Sequence, residues 1–194
     1  AIGIGLEKVR RYEARQPIGG GLNFAHWLAR LLVLNNVRKM IGIHRSRMLI
    51  TGAAPISPDL VRWYLALGVP MLEVWGMTET GGGATAMPID RIKPGSIGVP
   101  GTMNELKLSA EGELMVRGPN VFMGYLNQPE KTAETIDADG WLRTGDVGTV
   151  DEDGFYRISD RLKDIIITAG GKNVTPSEIE NQIKFSPYVT DAVV

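Results

Sequence analysis

The sequence predicts an α/β fold: a parallel α/β layer, then a small β-barrel, then the truncated start of an α+β unit. Three observations carry this prediction. Met48 to Ile50, Asp59 to Leu67 and Pro70 to Val74 read as strand, helix, strand, the order of a parallel layer. From Gly95 the texture changes to short, glycine-punctuated segments rich in β-formers. At Thr175 a new helix signal appears after an apolar run and a glycine pair. The expected boundaries are 1–95, 96–160 and 161–194.

The elements follow in order. Residues 1–50 hold nine Lys/Arg against two Asp/Glu, although the whole chain carries a net charge of -1. Leu22 to Met48 mixes Phe24, Trp27, Leu28, Leu31 and Leu32 with Arg30, Arg38, Lys39, Arg45 and Arg47. A packed helix with a solvated basic face is the expectation there. The same pattern suits contact with anionic lipid, so a peripheral membrane association is the second reading.

Ser57-Pro58 supplies an N-cap and a first-turn proline, and Gly68 ends the helix they open. Glu105 to Leu108 alternates polar and apolar residues as a half-buried strand does. Gly112 to Gly118 reads as a further strand segment. Asn127 and Glu130 have the spacing of a cap pair for a helix to Ile136. Asp151-Glu-Asp-Gly154 is a turn between Val147–Val150 and Phe155–Ile158, hence a hairpin. Thr175-Pro-Ser-Glu178 is a capping box with proline at the first helical position, opening a helix through about Lys184.

Composition narrows the function classes. With 194 residues, 43% apolar and 22% charged, the chain is globular material of one to two domains. The absence of Cys excludes a disulfide framework and a zinc ribbon. No apolar run approaches the roughly 20 residues of a membrane span. The layout of a signal peptide is missing from the N-terminus, so a cytoplasmic location is expected. The basic front lacks the aromatic platform that single-stranded nucleic acid needs. Residues 161–194 number 34, fewer than the roughly 40 that usually fold unaided, and the chain reads as a fragment of a longer protein.

Three short motifs carry chemistry. Val74-Trp-Gly-Met-Thr-Glu-Thr80 places an aromatic face beside a hydroxyl and a carboxylate. An aromatic face stacks on a purine, hydroxyls and backbone amides hold phosphate, and a carboxylate holds magnesium. Trp141-Leu-Arg-Thr-Gly-Asp146 offers a second carboxylate, an acceptor suited to ribose hydroxyls. Ser159-Asp-Arg-Leu-Lys-Asp164 supplies Arg161, fifteen residues on and across one hairpin, so both reach the same rim. Thr51-Gly-Ala-Ala-Pro55 adds a turn of small residues where a flat ring could approach the backbone.

Taken together and in this order, these motifs resemble the adenylate-forming enzymes, and most nearly the long-chain fatty-acid CoA ligases (acyl-CoA synthetases), from about Met48 to Val194. The resemblance implies that a fatty acid is joined to AMP from ATP and the acyl group passed to coenzyme A. Residues 1–95 would then be the C-terminal part of the large nucleotide-binding domain, 96–160 its β-barrel subdomain, and 161–194 the hinge and start of the small C-terminal domain.

By the same resemblance Gly52, Ala53, Ala54 and Pro55 border the adenine, and Trp75 stacks on it where the family usually has Tyr. Gly76 and Met77 belong to this motif, Thr78 holds the α-phosphate and Glu79 the Mg²⁺, making Thr78 and Glu79 the catalytic pair. Asp146 and Arg161 hold the ribose, with Ile158 beside the nucleotide. Asp160 and Lys163 mark the hinge, and Ala169, Gly170 and Gly171 a loop on the coenzyme A side. Gly118 to Tyr125 also matches the family and reads as structural.

Two family parts are absent from this sequence: the Ser/Thr/Gly-rich loop ending in Lys that cradles the outer phosphates, and the late lysine that serves adenylation. The chain alone is therefore expected not to adenylate. Two other readings stay open, an adenylating enzyme for another acid or thiol, and a non-catalytic nucleotide-binding or interaction module.

Overall fold

A computed structural model describes residues 1–167, 173–184, 186 and 188–194. They fall into two compact units, one of residues 1–73 with 87–95 and the other of 74–86 with 96–194.

The first unit opens with α1 (Ile2–Glu13) and α2 (Gly20–Ala29), which runs through a π-helical turn at Arg30–Leu34 into α3 (Asn35–Met40). β1 (Leu49–Thr51) and β2 (Met71–Glu73) pair in parallel around α4 (Pro58–Ala66), the strand–helix–strand order the sequence predicts. α4 starts where expected because the Ser57 hydroxyl accepts the Asp59 amide at 3.2 Å, with proline at the first helical position. Its core joins Ala29, Leu34 and Leu67, with Ile2, Ile4, Val37 and Trp63 packed around them.

The apolar positions from α2 through the π-helical turn do not pack as the sequence predicts. Phe24, Trp27, Leu31 and Leu32 are each more than half exposed, whereas Arg38 is buried. Phe24 and Trp27 stack on each other instead, with ring centroids 5.8 Å apart. Among the described residues no helix is long and apolar enough to cross a membrane.

The second unit is built on an antiparallel sheet. Ahead of it, β3 (Thr85–Ala86) pairs with β4 (Val99–Pro100). The sheet runs β5 (Glu105–Leu108), β6 (Glu113–Arg117), β7 (Leu142–Val150) and β8 (Tyr156–Arg161), in that spatial order. The sheet curls into a half-barrel: the Tyr156 hydroxyl of edge strand β8 donates to the Leu106 carbonyl of edge strand β5 at 3.0 Å. Ile97 and Gly98 extend the β8 edge, with Ile97 N–H on Tyr156 O and Tyr156 N–H on Gly98 O, both at 2.9 Å.

α5 (Pro129–Thr135) lies between β6 and β7. The Asn127–Glu130 cap pair does not form: Asn127 takes φ 56°, Gln128 is the N-cap, and no side chain caps the helix. After β8 come a 3₁₀ turn at Leu162–Asp164, the antiparallel pair β9 (Ile166–Ile167) and β10 (Asn173–Val174), and α6 (Pro176–Lys184).

Among the described residues, the core of this unit includes the clusters Ala84–Val116–Leu142 and Ile97–Leu114–Tyr156. Trp75 and Leu106 pack against both. The half-buried Trp75 ring is therefore a structural element as well as a candidate ligand contact.

Candidate functional site

The loop from Val74 to Ala86 is held mostly by its own backbone. The Trp75 carbonyl accepts the amides of Ala84 and Thr85 at 2.8 and 3.0 Å, and the Trp75 amide donates to the Thr85 hydroxyl at 3.1 Å. Two strands of the loop cross at Gly76, where a Cβ would lie 2.5 Å from the Gly82 carbonyl oxygen and 2.7 Å from Gly83 Cα. Only glycine fits that crossing. Beyond it, Thr78–Thr80 forms one 3₁₀ turn. Thr80 is buried, and its hydroxyl accepts the Met77 amide and donates to the Met77 carbonyl, both at 3.0 Å. With Thr80 turned inward, Thr78 is left exposed and Glu79 half-buried.

The Thr144-Gly-Asp146 motif is a bulge. Glu113 pairs with Val147 and Met115 with Arg143, so β7 carries two more residues than β6 over this stretch. The Thr144 hydroxyl donates to the Leu114 carbonyl at 2.7 Å and accepts the Asp146 amide at 3.1 Å. Gly145, at φ 73°, gives its amide to the buried Glu113 carboxylate at 2.9 Å. This turn aims Asp146 inward, where it is 6% exposed.

Three predicted residues meet there. Asp146 Oδ2 accepts from Trp75 Nε1 at 2.9 Å, and Asp146 Oδ1 pairs with Arg161 Nε at 2.8 Å. Arg161 is also the cross-strand partner of Asp146 and leaves about half its side chain in solvent. Burial pushes the Asp146 carboxyl above its ordinary range. The Trp75 N–H and the Arg161 charge act against that shift, and the nearby Glu113 charge adds to it. Desolvation wins because the guanidinium, being half in water, is partly screened.

Segment 118–125 grips the other side of the loop. Asn120 Nδ2 donates to the carbonyls of Thr80 and Gly83 at 2.8 and 2.9 Å, and the Phe122 amide donates to the Glu79 carbonyl at 2.8 Å. The Tyr125 hydroxyl donates to Glu79 Oε1 at 2.7 Å. That bond to the carboxylate, with burial second, raises the Tyr125 phenol above its usual value. Tyr125 is itself seated edge-on to Phe122, with ring centroids 4.8 Å apart, and under the Lys131 ammonium at 4.5 Å.

Among the remaining candidates, Ile158 packs on the Ile97–Leu114–Tyr156 cluster. Asp160 is 2% exposed within β8, and its carboxylate accepts the Arg161 amide at 2.7 Å. Lys163 is exposed on the turn that follows. Ala169, Gly170 and Gly171 lie outside the described residues. Gly52, Ala53, Ala54 and Pro55 belong to the first unit, as an exposed turn after β1 in which Ala53 takes the left-handed φ of 67°.

Among the described residues, a cavity of about 660 Å³ is lined by residues of the 123–129 segment with Thr132, Ala133 and Ile136, and another of about 440 Å³ by groups from the first unit; neither includes Trp75, Thr78, Glu79, Asp146 or Arg161. Among the described residues no three His, Cys, Asp or Glu side chains cluster to hold a metal by themselves. The motifs assign no role to Glu113, Thr80, Asn120 or Tyr125, although Thr80 closes the Val74–Thr80 motif. For Tyr125 the only signal is its place in the Gly118–Tyr125 stretch, which a sequence reading assigns to structure.

Residues 24–126 match the model of the AMP-binding enzyme family, and the chain belongs to that family. It is 41% identical over 163 residues to the long-chain-fatty-acid–CoA ligase FadD15 of Mycobacterium bovis, covering 84% of this chain and 27% of that protein. It is 42% identical over 173 residues to the long-chain-fatty-acid–CoA ligase ACSBG2 of Gallus gallus, covering 86% of this chain and 23% of the relative. The chain thus spans about a quarter of the length of these relatives. Among solved structures it resembles the O-succinylbenzoate coenzyme A synthetase MenE of Bacillus subtilis in complex with ATP and magnesium ion. There the TM-score is 0.69 at 32% identity, over 75% of this chain and 32% of that one.

Proposed function

We propose that this chain supplies the AMP-holding part of a long-chain fatty-acid–CoA ligase, an acid–thiol ligase that activates a fatty acid as acyl-AMP and transfers it to coenzyme A. The observation that carries the proposal is the Trp75–Asp146–Arg161 chain of contacts, in the same unit as Thr78 and Glu79. Asp146 stays an acceptor when ionised, and Trp75 and Arg161 hold its two oxygens in fixed directions; the remaining lone pairs suit ribose hydroxyls. Arg161, half in solvent, has guanidinium N–H groups to offer a ribose or phosphate oxygen. Thr78 is exposed, which supports its reading as the donor to an α-phosphate.

Magnesium fits as a guest of the nucleotide. It is commonly bound through one or two carboxylates together with substrate phosphates and water, and Glu79 is such a carboxylate with one oxygen not engaged by Tyr125. The ion, when bound, neutralises phosphate charge. Glu79 holds it, Thr78 orients the phosphate, and the loop's own hydrogen bonds keep the two side by side. The fatty acid and the coenzyme A acceptor rest on likeness to the named relatives. Asp160 and Lys163, on either side of the end of β8, are proposed as the hinge pair.

Isothermal titration of the chain with AMP tests the reading. Saturable heat is expected, weakened at least several-fold in Asp146→Ala. Absence of binding by the wild-type chain would overturn it.

A further inference from the structure

Resting on the AMP-holding reading, we propose that Tyr125 is a positioning residue for the magnesium-binding carboxylate: its hydroxyl fixes Glu79 so that one oxygen faces the nucleotide side. Three observations support this beyond simple packing. The contact is a 2.7 Å O–H···O bond between residues 46 apart in sequence, placed on Oε1 and leaving Oε2 without a described partner. The Tyr125 ring is itself fixed, by Phe122 edge-on and Lys131 above its face, and its amide donates to the Thr132 hydroxyl at 2.9 Å. The Glu79 main chain is pinned by the same segment through the Phe122 amide.

A Glu side chain has three rotatable bonds, so a half-buried Glu79 tethered only at its backbone would sweep several positions. Tyr125 removes that freedom before the ion arrives. A carboxylate that must present one oxygen to a small, octahedral cation gains from this restraint, because magnesium tolerates little departure from its preferred geometry. Groups that orient a metal ligand from behind commonly change metal affinity about 10- to 100-fold when removed. Lys131, held over the ring rather than on the carboxylate, leaves the Glu79 charge for the ion.

The test uses Mn²⁺ as the probe, followed by the loss of its free EPR signal at saturating AMP, with AMP affinity in EDTA measured in parallel. Tyr125→Phe keeps the ring and its packing while removing the hydroxyl. It is expected to weaken Mn²⁺ binding about tenfold or more and to leave the metal-free affinity for AMP within about twofold. Glu79→Gln keeps an acceptor for Tyr125 but loses the charge, so it should lower Mn²⁺ affinity further. Adding Tyr125→Phe to it should then change nothing more. Equal losses in metal-free and metal-dependent binding would make Tyr125 merely structural and overturn the proposal, as would unchanged Mn²⁺ affinity. If the wild-type chain fails to bind AMP at all, the underlying nucleotide reading falls and this inference with it, a result separable from the other two.

Discussion

Trp75 Nε1 donates to Asp146 Oδ2 across 2.9 Å, joining two motifs 71 residues apart in sequence. The resemblance to adenylate-forming enzymes leads one to expect Tyr at position 75, and Trp in its place lacks the phenolic hydroxyl and any contact it would make. The indole restores one. Its N–H is donor only, which suits the acceptor oxygen of a carboxylate. The ring therefore does two jobs, bridging both core clusters and holding one oxygen of the buried acid.

Trp75→Phe should expose the value of that bond. Removing the donor leaves a buried carboxylate oxygen short of a partner, which costs about 1–3 kcal/mol, with a further loss from the smaller ring. In urea unfolding the midpoint falls while the slope stays the same. A midpoint that does not move would mean water replaces the indole N–H without penalty.

Asp146 sets a pH dependence with a definite sign. Its folded pKa is raised by burial, so the native state holds its proton more tightly than the unfolded chain does. The stability this group contributes is fully present below the unfolded carboxylate value of about 3.9 and is lost as pH rises through the raised folded value. The stability of the wild type relative to Asp146→Asn should therefore decline across that window. Arg161→Gln removes an opposing charge and should move the Asp146 titration, followed by carboxyl NMR, further upward. A downward movement would show that the guanidinium is not the partner that matters.

Gly76→Ala tests the loop crossing. A methyl group there meets the Gly82 carbonyl and the Gly83 backbone, neither of which can swing aside as a side chain would. Overpacking of this kind costs about 1–3 kcal/mol, and AMP binding should fall with it. Thermal unfolding of the variant, with calorimetry on the folded fraction, gives both quantities.

Asn120→Asp removes both donors of the clamp on Thr80 and Gly83 while keeping the side chain's size. At about 1 kcal/mol for each bond, amide exchange between Thr80 and Thr85 should accelerate by one to two powers of ten, with the β6–β7 amides unchanged. Uniform acceleration through the sheet would instead mark Asn120 as a general stability residue.

Much of the architecture is legible locally. Ser57-Pro58, the Asp151–Gly154 turn and the alternation of Glu105–Leu108 each encode their element in a few residues, and the structure has each of them. The Asn127 cap fails for an equally local reason: Pro129 supplies the first helical residue and Asn127 is committed to a left-handed turn before it. The contacts that organise the motifs are not local. Trp75 reaches Asp146 where the β7 bulge turns the acid inward, and Tyr125 reaches Glu79 on the loop that Asn120 clamps. No spacing rule relates such partners, so they become visible in coordinates alone. The exposed apolar residues of α2 and the π-helical turn show the complementary failure, since residue type by itself does not say what lies opposite.

The surplus of residues in β7 between Arg143 and Val147 is even in number. Side chains alternate with a period of two, so an even surplus returns the strand to its original parity, and Val147 lies across from Glu113 as if nothing had been inserted. Length variation at this rim is thereby constrained: changing it by a pair would alter how far the acid projects, whereas a single added residue would have to be absorbed as a further bulge, like the one-residue offset at Ser159 between β7 and β8, or else turn the downstream positions to the opposite face.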